Sequence, residues 1–179
     1  TVLGRAEGIE GYHDIRSYPG AQHLPGLVIY RFDAPLFFAN AKTFRDEVRR
    51  LARAEPKPRW ILIAAEPMTD VDVTASDVLE DLDEALNAEG VSLVFAELKD
   101  PVRRKIERYE LTRTLDPRHF FPTISAAVAA FRAETGAQWT TPEIGAEWAA
   151  PPAGGEADGY RRGHHDARRG ASQGGSSRE

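Results

Sequence analysis

The residues best suited to chemistry in this sequence lie in one short acidic segment, from Asp70 to Asp77. Asp70 and Asp72 are two residues apart and follow an apolar run, and paired carboxylates of this kind can hold a magnesium ion or act as acid and base. Aspartate is also common after strands, because its side chain accepts hydrogen bonds from nearby backbone N–H groups. The structural turn is the favoured interpretation, and the metal or acid–base site is the alternative.

The same segment places a hydroxyl group at the predicted start of a helix. Thr74 is followed three residues later by Asp77, a spacing that resembles a capping box, so we predict that Thr74 caps this helix. A hydroxyl group here also lies where backbone N–H groups and the helix dipole favour an added or bound anion. Phosphorylation would add about −1.5 to −2 charges. Thr74 is therefore a possible phospho-acceptor.

The histidines and the remaining nucleophiles match no catalytic or metal-binding pattern. The sequence has no cysteine, no glycine-rich phosphate loop and no nucleophile elbow, and its isolated histidines lack ligand spacing. The isolated histidines are His13, His23 and His119. His164 and His165 are adjacent, but their glycine- and arginine-rich surroundings are typical of solvated low-complexity sequence. We predict neither catalytic residues nor metal ligands.

A basic cluster, Arg103-Arg104-Lys105 with Arg108, is the strongest positive feature. It is typical of a solvated helix face. A weaker hypothesis is that a guanine or adenine nucleotide binds there or near Thr74; otherwise no cofactor is expected. The formal net charge of −5 argues against a nucleic acid as partner, since such a protein needs basic surface to displace counterions from phosphates.

Around the acidic segment, the sequence alternates between strand-like and helix-like patterns. Continuous apolar runs predict strands covered on both faces, and apolar residues at three- and four-residue spacing predict helices. The predicted strands are Leu27–Phe32, Arg59–Ala65 and Val91–Ala96, with a weak strand near Arg118–Phe121. The predicted helices are Asn40–Ala54 with Asn40 as its cap, Thr74–Glu89, Asp100–Tyr109 and Thr123–Glu134. This order predicts an α/β fold with a mainly parallel sheet flanked by helices.

The length of 179 residues suits one domain, and the two ends differ in composition from the middle. From residue 138 onward glycine, proline, serine and arginine are frequent, which predicts a disordered tail over 138–179. Trp139 and Trp148 are candidates to lie back on the domain. No apolar run approaches the roughly 18–20 residues of a spanning helix. Because the chain begins with Thr1, we expect it to be a piece of a longer protein.

The segment from Gly26 to Ala41 closely resembles the opening of the STAS domain of SulP anion transporters. In that family, a strand ends in R-x-D-x-P-L-x-F-A-N before the first helix, and this sequence reads Arg-Phe-Asp-Ala-Pro-Leu-Phe-Phe-Ala-Asn from Arg31. Val71-Asp72-Val73-Thr74-Ala75 is similar to the family's D-x-T/S-A/G loop, and Phe121-Pro122-Thr123 resembles the start of its last helix. The likeness extends from about Gly11 to Glu134.

The resemblance implies an open mixed, mainly parallel sheet of four or five strands in a STAS domain over residues 21–137. Residues 1–20 would link it to a preceding membrane domain of the same chain, at the cytoplasmic face of the membrane. The implied role is regulation and assembly of a homodimeric sulfate-like anion transporter, without catalysis. The partner-binding surface, which would meet the membrane domain, a regulatory protein or a kinase, is predicted at Asp33, Asn40, Asp72, Thr74, Ala75 and Asp77.

The same fold also serves as a free anti-sigma-factor antagonist that a partner kinase phosphorylates. Thr74 falls on the phospho-acceptor position of those proteins, but Val73 and Ala75 replace the serine and glycine that flank it there. The block from Arg31 to Asn40 favours the transporter. A reading frame with many hydrophobic spans ahead of Thr1 would discriminate between the two.

Overall fold

The computed structural model describes residues 1–109, 114–142 and 146–149. They form a six-stranded sheet in the order β2-β1-β3-β4-β5-β6, in which β3 to β6 are parallel and β1 and β2 are antiparallel to their neighbours. The strands are β1 Val2–Gly4, β2 His13–Asp14, β3 Leu27–Arg31, β4 Trp60–Ala64, β5 Ser92–Ala96 and β6 Phe120–Phe121. The helices are α1 Phe38–Arg53, α2 Val73–Ala88, α3 Asp100–Arg108 and α4 Ile124–Thr135. The predicted fold class is confirmed, with one strand more than expected.

The sheet is covered on both faces, as its apolar strands require. All five residues of β4 are buried, because α1, α2 and α3 pack on one face and α4 packs on the other. On the first face, the side chains of Phe44, Leu79 and Ile106 join one core, and on the second Phe131 packs against Trp60. The parallel strands therefore have their carboxyl ends, and the loops that follow them, at one edge of the sheet.

The N-terminal segment contributes more structure than the sequence analysis expects. β1 pairs with β3, and the terminal amino group of Thr1 donates to the carbonyl of Arg31 at 2.9 Å. The predicted linker over residues 1–20 therefore contains two strands of the sheet. Sequence reasoning missed them because Val2–Gly4 and His13–Asp14 are too short to show an alternating pattern. The link to a membrane domain stays a prediction.

The segment after α4 also differs from the disordered tail that the sequence analysis predicts. Thr140 exchanges two backbone hydrogen bonds with His23, at 2.8 and 2.9 Å. Trp139 packs against the core on the α4 side, whereas Trp148 is buried in the core on the α1 side. Disorder is therefore the wrong prediction for residues 138–142 and 146–149, because these two indoles supply apolar area that the glycine- and proline-rich composition obscures. The rest of the predicted tail, with His164 and His165, lies outside the described residues.

One charged side chain is buried inside this fold. Asp83 of α2 is 2% exposed, and burial raises the pKa of its carboxyl group to about 6, although Asn87 and Thr114 donate hydrogen bonds to it. Because the folded state holds the proton more tightly than the unfolded chain, its contribution to stability is fully present below about pH 4 and is lost as the pH rises through 6.

We expect Asp83→Asn to raise the free energy of unfolding by about 1–3 kcal/mol at pH 7, and this gain should vanish below about pH 4. The amide stays neutral throughout this range and keeps an oxygen that accepts from Asn87. Urea unfolding of wild type and variant between pH 4 and 8 measures the difference, with Asp81→Asn on the exposed side of α2 as control. Parallel stability curves for wild type and Asp83→Asn would contradict a raised pKa at Asp83.

Candidate functional site

The loops that follow β3 and β4 are joined at the carboxyl edge of the sheet. The backbone N–H of Leu36 donates to the carbonyl of Asp70 at 2.9 Å, and the N–H of Asp72 donates back to the carbonyl of Leu36 at 3.2 Å. Leu36 and Val71 form an isolated parallel bridge there. The two loops predicted to lie together therefore form one continuous surface, from which α1 and α2 start.

Asp72 is the residue that organises this surface. One of its carboxylate oxygens accepts from the N–H of Ala75 in α2 at 2.8 Å, and the other accepts from the N–H of Phe38 in α1 at 3.0 Å. A single side chain thus caps two helices, and its negative charge lies where both helix dipoles favour it. Asp72 therefore stabilises the site from within. Its hydrogen bond with the N–H of Phe38 joins two residues that are 34 positions apart in the sequence.

Two predicted caps are corrected by this geometry. Thr74 is in the first turn of α2, after its cap Asp72, so it does not cap the helix. Asn40 lies inside the first turn of α1, where its side-chain oxygen accepts from the N–H of Phe37 at 3.0 Å and its amide donates to the carbonyl of Pro35 at 2.9 Å. Asn40 therefore fixes the loop before α1 from within the helix.

The remaining predicted surface residues divide by exposure. Ala75 is fully buried, so it cannot touch a partner. Asp33 is exposed but pairs with Arg31, with 2.6 Å between Oδ1 and Nε. Thr74 and Asp77 are both exposed, and their side chains form no hydrogen bond or ion pair within the described residues. Of the six predicted residues, Thr74 and Asp77 are thus the two that present unused polar groups to the outside.

Sequence reasoning missed an exposed apolar patch on the same surface, formed by Phe37, Phe38 and Val73. Their exposed fractions are 40%, 70% and 54%, and the two phenylalanine rings meet edge to face with centroids 6.1 Å apart. Spacing did not reveal it, because Phe37 precedes Ala41 by four residues and Phe44 by seven, as a residue on the buried side of α1 would. Phe37 is exposed because it lies before the first turn of α1, where the backbone is extended. The patch (Phe37, Phe38, Val73) lies at the starts of α1 and α2, which Asp72 joins.

The basic cluster of α3 is partly neutralised within the domain. Lys105 donates to Asp70, and this hydrogen bond lowers the pKa of the Asp70 carboxyl group, while Arg103 pairs with Glu107. Because Asp70 is occupied by Lys105, Asp70 and Asp72 do not form a shared carboxylate site. Among residues 1–109, 114–142 and 146–149, no three side chains of His, Cys, Asp or Glu gather as metal ligands.

A groove of about 500 Å³ opens on the α4 side of the same sheet edge. It is lined by Arg31 and Thr123 but also by three carboxylates, Glu10, Glu66 and Glu97. This excess of negative charge disfavours the phosphates of a nucleotide. The groove itself is therefore a poor nucleotide site, and neither Thr74 nor the basic cluster of α3, where a nucleotide is predicted, lines it.

The chain has relatives among membrane transporters. A probable sulfate transporter of Mycobacterium tuberculosis is 40% identical over 133 residues, which cover 74% of this chain and 24% of that protein. Sulfate transporter 1.1 of Arabidopsis thaliana is 28% identical over 149 residues, or 78% of this chain and 23% of its own length. The chain thus spans about a quarter of the length of the curated relatives it matches. Within the part of the chain described above, none of the helices is both long and apolar enough to cross a membrane.

Solved structures share the fold. The murine anion transporter named Solute Carrier 26 family member A9, in its inward-facing state, superposes with a TM-score of 0.67 at 22% identity, over 74% of this chain and 22% of that one. The STAS domain of a SulP transporter from Vibrio cholerae superposes with a TM-score of 0.54 at 18% identity, over 68% of this chain and 92% of that one. The STAS domain family model itself matches residues 18–127, which is more than half of the 179 residues, so the chain belongs to the STAS domain family.

Proposed function

We propose that this chain is the cytoplasmic regulatory and assembly domain of a SulP-type anion transporter, that it is not an enzyme, and that it acts through protein contacts. The membrane domain of its own chain is the first partner, within a homodimeric transporter. The sulfate transporters among its relatives support this role, since they contain the matching sequence as about a quarter of their length.

The observation that carries the proposal is the apolar patch at the joined helix starts. Three large apolar side chains, Phe37, Phe38 and Val73, are exposed at the starts of α1 and α2, which Asp72 and the Leu36–Val71 bridge hold together. Clustered apolar side chains on a braced surface, bordered by the polar groups of Thr74 and Asp77, are typical of a protein interface. Chemistry on a small molecule would instead call for convergent catalytic groups.

In a transporter that contains this domain, Phe38→Ser is expected to reduce anion uptake at least about fivefold, because removing an aromatic anchor from an interface typically costs more than 1 kcal/mol. Uptake of labelled sulfate, in cells without their own sulfate transport, measures the effect at matched protein levels. The control is Ile9→Ser, which changes an apolar side chain of 43% exposure outside the patch. Uptake that Phe38→Ser leaves at the wild-type rate would argue against the patch as the contact surface.

A second candidate function is a free anti-sigma-factor antagonist that is phosphorylated at Thr74. It is favoured by one observation, the exposed hydroxyl group of Thr74 in the first turn of α2, where a phosphate would meet the helix dipole. A regulatory kinase would then be the partner. The gene sequence ahead of the codon for Thr1 separates the candidates, because membrane-spanning segments there support the transporter and a nearby start codon supports the free protein.

A further inference from the structure

The outer sides of α1 and α2 carry opposite charges at equivalent positions. Each helix has 16 residues, and residues 35 positions apart occupy the same place in the two helices. Three equivalent pairs have opposite charges, Lys42 with Asp77, Arg45 with Glu80 and Arg49 with Glu84, whereas in a fourth pair, Asp46 with Asp81, both residues are acidic. α2 has no lysine or arginine, whereas α1 has five. We call the six residues of the three oppositely charged pairs the charged face.

The fold places these pairs at the same height. Leu36 and Val71, also 35 residues apart, form a parallel bridge just before the two helices, and Asp72 caps both. Both helices follow parallel strands on one face of the sheet and pack side by side, so they run in the same direction. None of the six residues belongs to the buried sides of α1 and α2: Lys42, Asp77 and Glu84 are exposed, and the other three are half-buried.

These charges are largely unused within the domain. Lys42 and Arg49 of α1 form no ion pair in the described parts of the chain. The same holds for the three acids of the charged face, Asp77, Glu80 and Glu84. Arg45 alone is paired, with its own neighbour Asp46. The cations of α1 and the acids of α2 in the charged face are therefore available to a partner that carries both signs of charge in the same arrangement.

We propose that the charged face binds the charged face of a second copy of this chain. A two-fold axis that runs parallel to the helices and between them places α1 of each copy over α2 of the other, without changing the height of any residue. Each of the three oppositely charged pairs then forms twice across the interface, and these six contacts outnumber the two contacts between the acidic residues Asp46 and Asp81. Such an interface is self-complementary, as a closed two-fold dimer requires. This step deepens the homodimer in the proposed function and rests on it.

A second copy fits this face better than an anionic membrane does. The cations of α1 would attract anionic phospholipid, but the acids of α2 lie in the same plane and would be repelled by it. The size of the face indicates a weak dimer. Two 16-residue helices present a surface of about 24 by 20 Å, or roughly 500 Å² per copy, which is below the typical 800 Å² or so of a stable interface.

Sedimentation equilibrium of the isolated chain is expected to show a salt-sensitive monomer–dimer equilibrium. The α1-reversed variant, Lys42→Glu with Arg49→Glu, makes the charged-face residues of both helices net acidic, and the α2-reversed variant, Asp77→Lys with Glu84→Lys, makes them net basic. Each variant alone should dissociate at least about tenfold more readily than wild type, because like charges then face each other. An equimolar mixture of the two should again form dimers, since a net acidic charged face then meets a net basic one.

The matched control is Glu7→Lys with Glu10→Lys, which changes the net charge as the α2-reversed variant does, at exposed positions away from the charged face. Circular dichroism confirms that each variant is folded. Monomeric wild type at millimolar concentration, or a mixture that stays monomeric, would overturn the inference. Wild type that binds phosphatidylserine vesicles but forms no dimers would likewise overturn the inference, because an anionic membrane would then be the partner of the charged face. In each of those cases, loss of uptake in Phe38→Ser would leave the proposed function standing.

Discussion

Replacing Asp72 with alanine is expected to lower the free energy of unfolding by about 2–3 kcal/mol, more than the loss of one ordinary helix cap. The reason is that both oxygens of this half-buried carboxylate are engaged, one with the first turn of α1 and the other with the first turn of α2. Alanine leaves a backbone N–H group without its acceptor in each helix. Urea unfolding, followed by circular dichroism at pH 7, measures the loss.

Two further variants make this prediction specific. Asp72→Asn keeps one acceptor oxygen but turns an amide N–H toward the second helix, so its loss should be intermediate. Thr74→Ala should stay within about 0.5 kcal/mol of wild type, as for an exposed side chain that caps nothing. If Thr74→Ala destabilised the protein as much as Asp72→Ala, the cap would lie at Thr74, as the capping-box spacing alone predicts.

The contrast between Thr74 and Asp72 shows where local sequence patterns stop being informative. Spacing places a hydroxyl group and an acid at a helix start, and the structure does begin α2 at this segment. Which residue caps the helix depends on Phe38, since the bond from its N–H draws the Asp72 carboxylate between two helices. That contact joins positions far apart in the chain, so no periodicity or motif within one segment could reveal it.

The strands were predictable to the extent that their apolar runs are long. Trp60–Ala64 is buried on both sides, and its composition alone predicts a strand. Val2–Gly4, in contrast, is a strand only because it pairs with β3. The joined loops were expected because both follow strands of the sheet, and the family resemblance pointed to the correct fold class. It did not reveal the apolar patch or the charged face, because these depend on which sides of α1 and α2 remain uncovered.

The helices of the charged face also explain why a chain with a net charge of −5 can present a strongly basic stripe. Net charge predicts the average field around the molecule. The fold distributes the signs unequally, since α1 carries five cations and two acids whereas the charged residues of its neighbour α2 are all acidic. A partner at this surface therefore meets local charges of both signs, and these would determine its orientation before the apolar patch makes contact.

Trp148→Ala is expected to lower the free energy of unfolding by about 3–5 kcal/mol, the usual range for truncating a buried aromatic side chain. Trp148 is 4% exposed, and its ring lies 4.6 Å from that of His23, centroid to centroid. The backbone bonds between His23 and Thr140 bring the chain back to the domain just before it. Burial of the indole thus helps to hold the C-terminal segment on the α1 side of the core.

The matched variant is Trp139→Ala, which removes the same side chain from the other face of the sheet. Trp139 is only partly buried and contacts Tyr12 and Arg5 near the surface, so its loss should be clearly smaller. Urea unfolding followed by circular dichroism compares the two without relying on indole fluorescence. A loss below about 1 kcal/mol for Trp148→Ala would mean that the segment contributes no more than an exposed tail does, because a buried indole cannot be removed from a packed core at so small a cost.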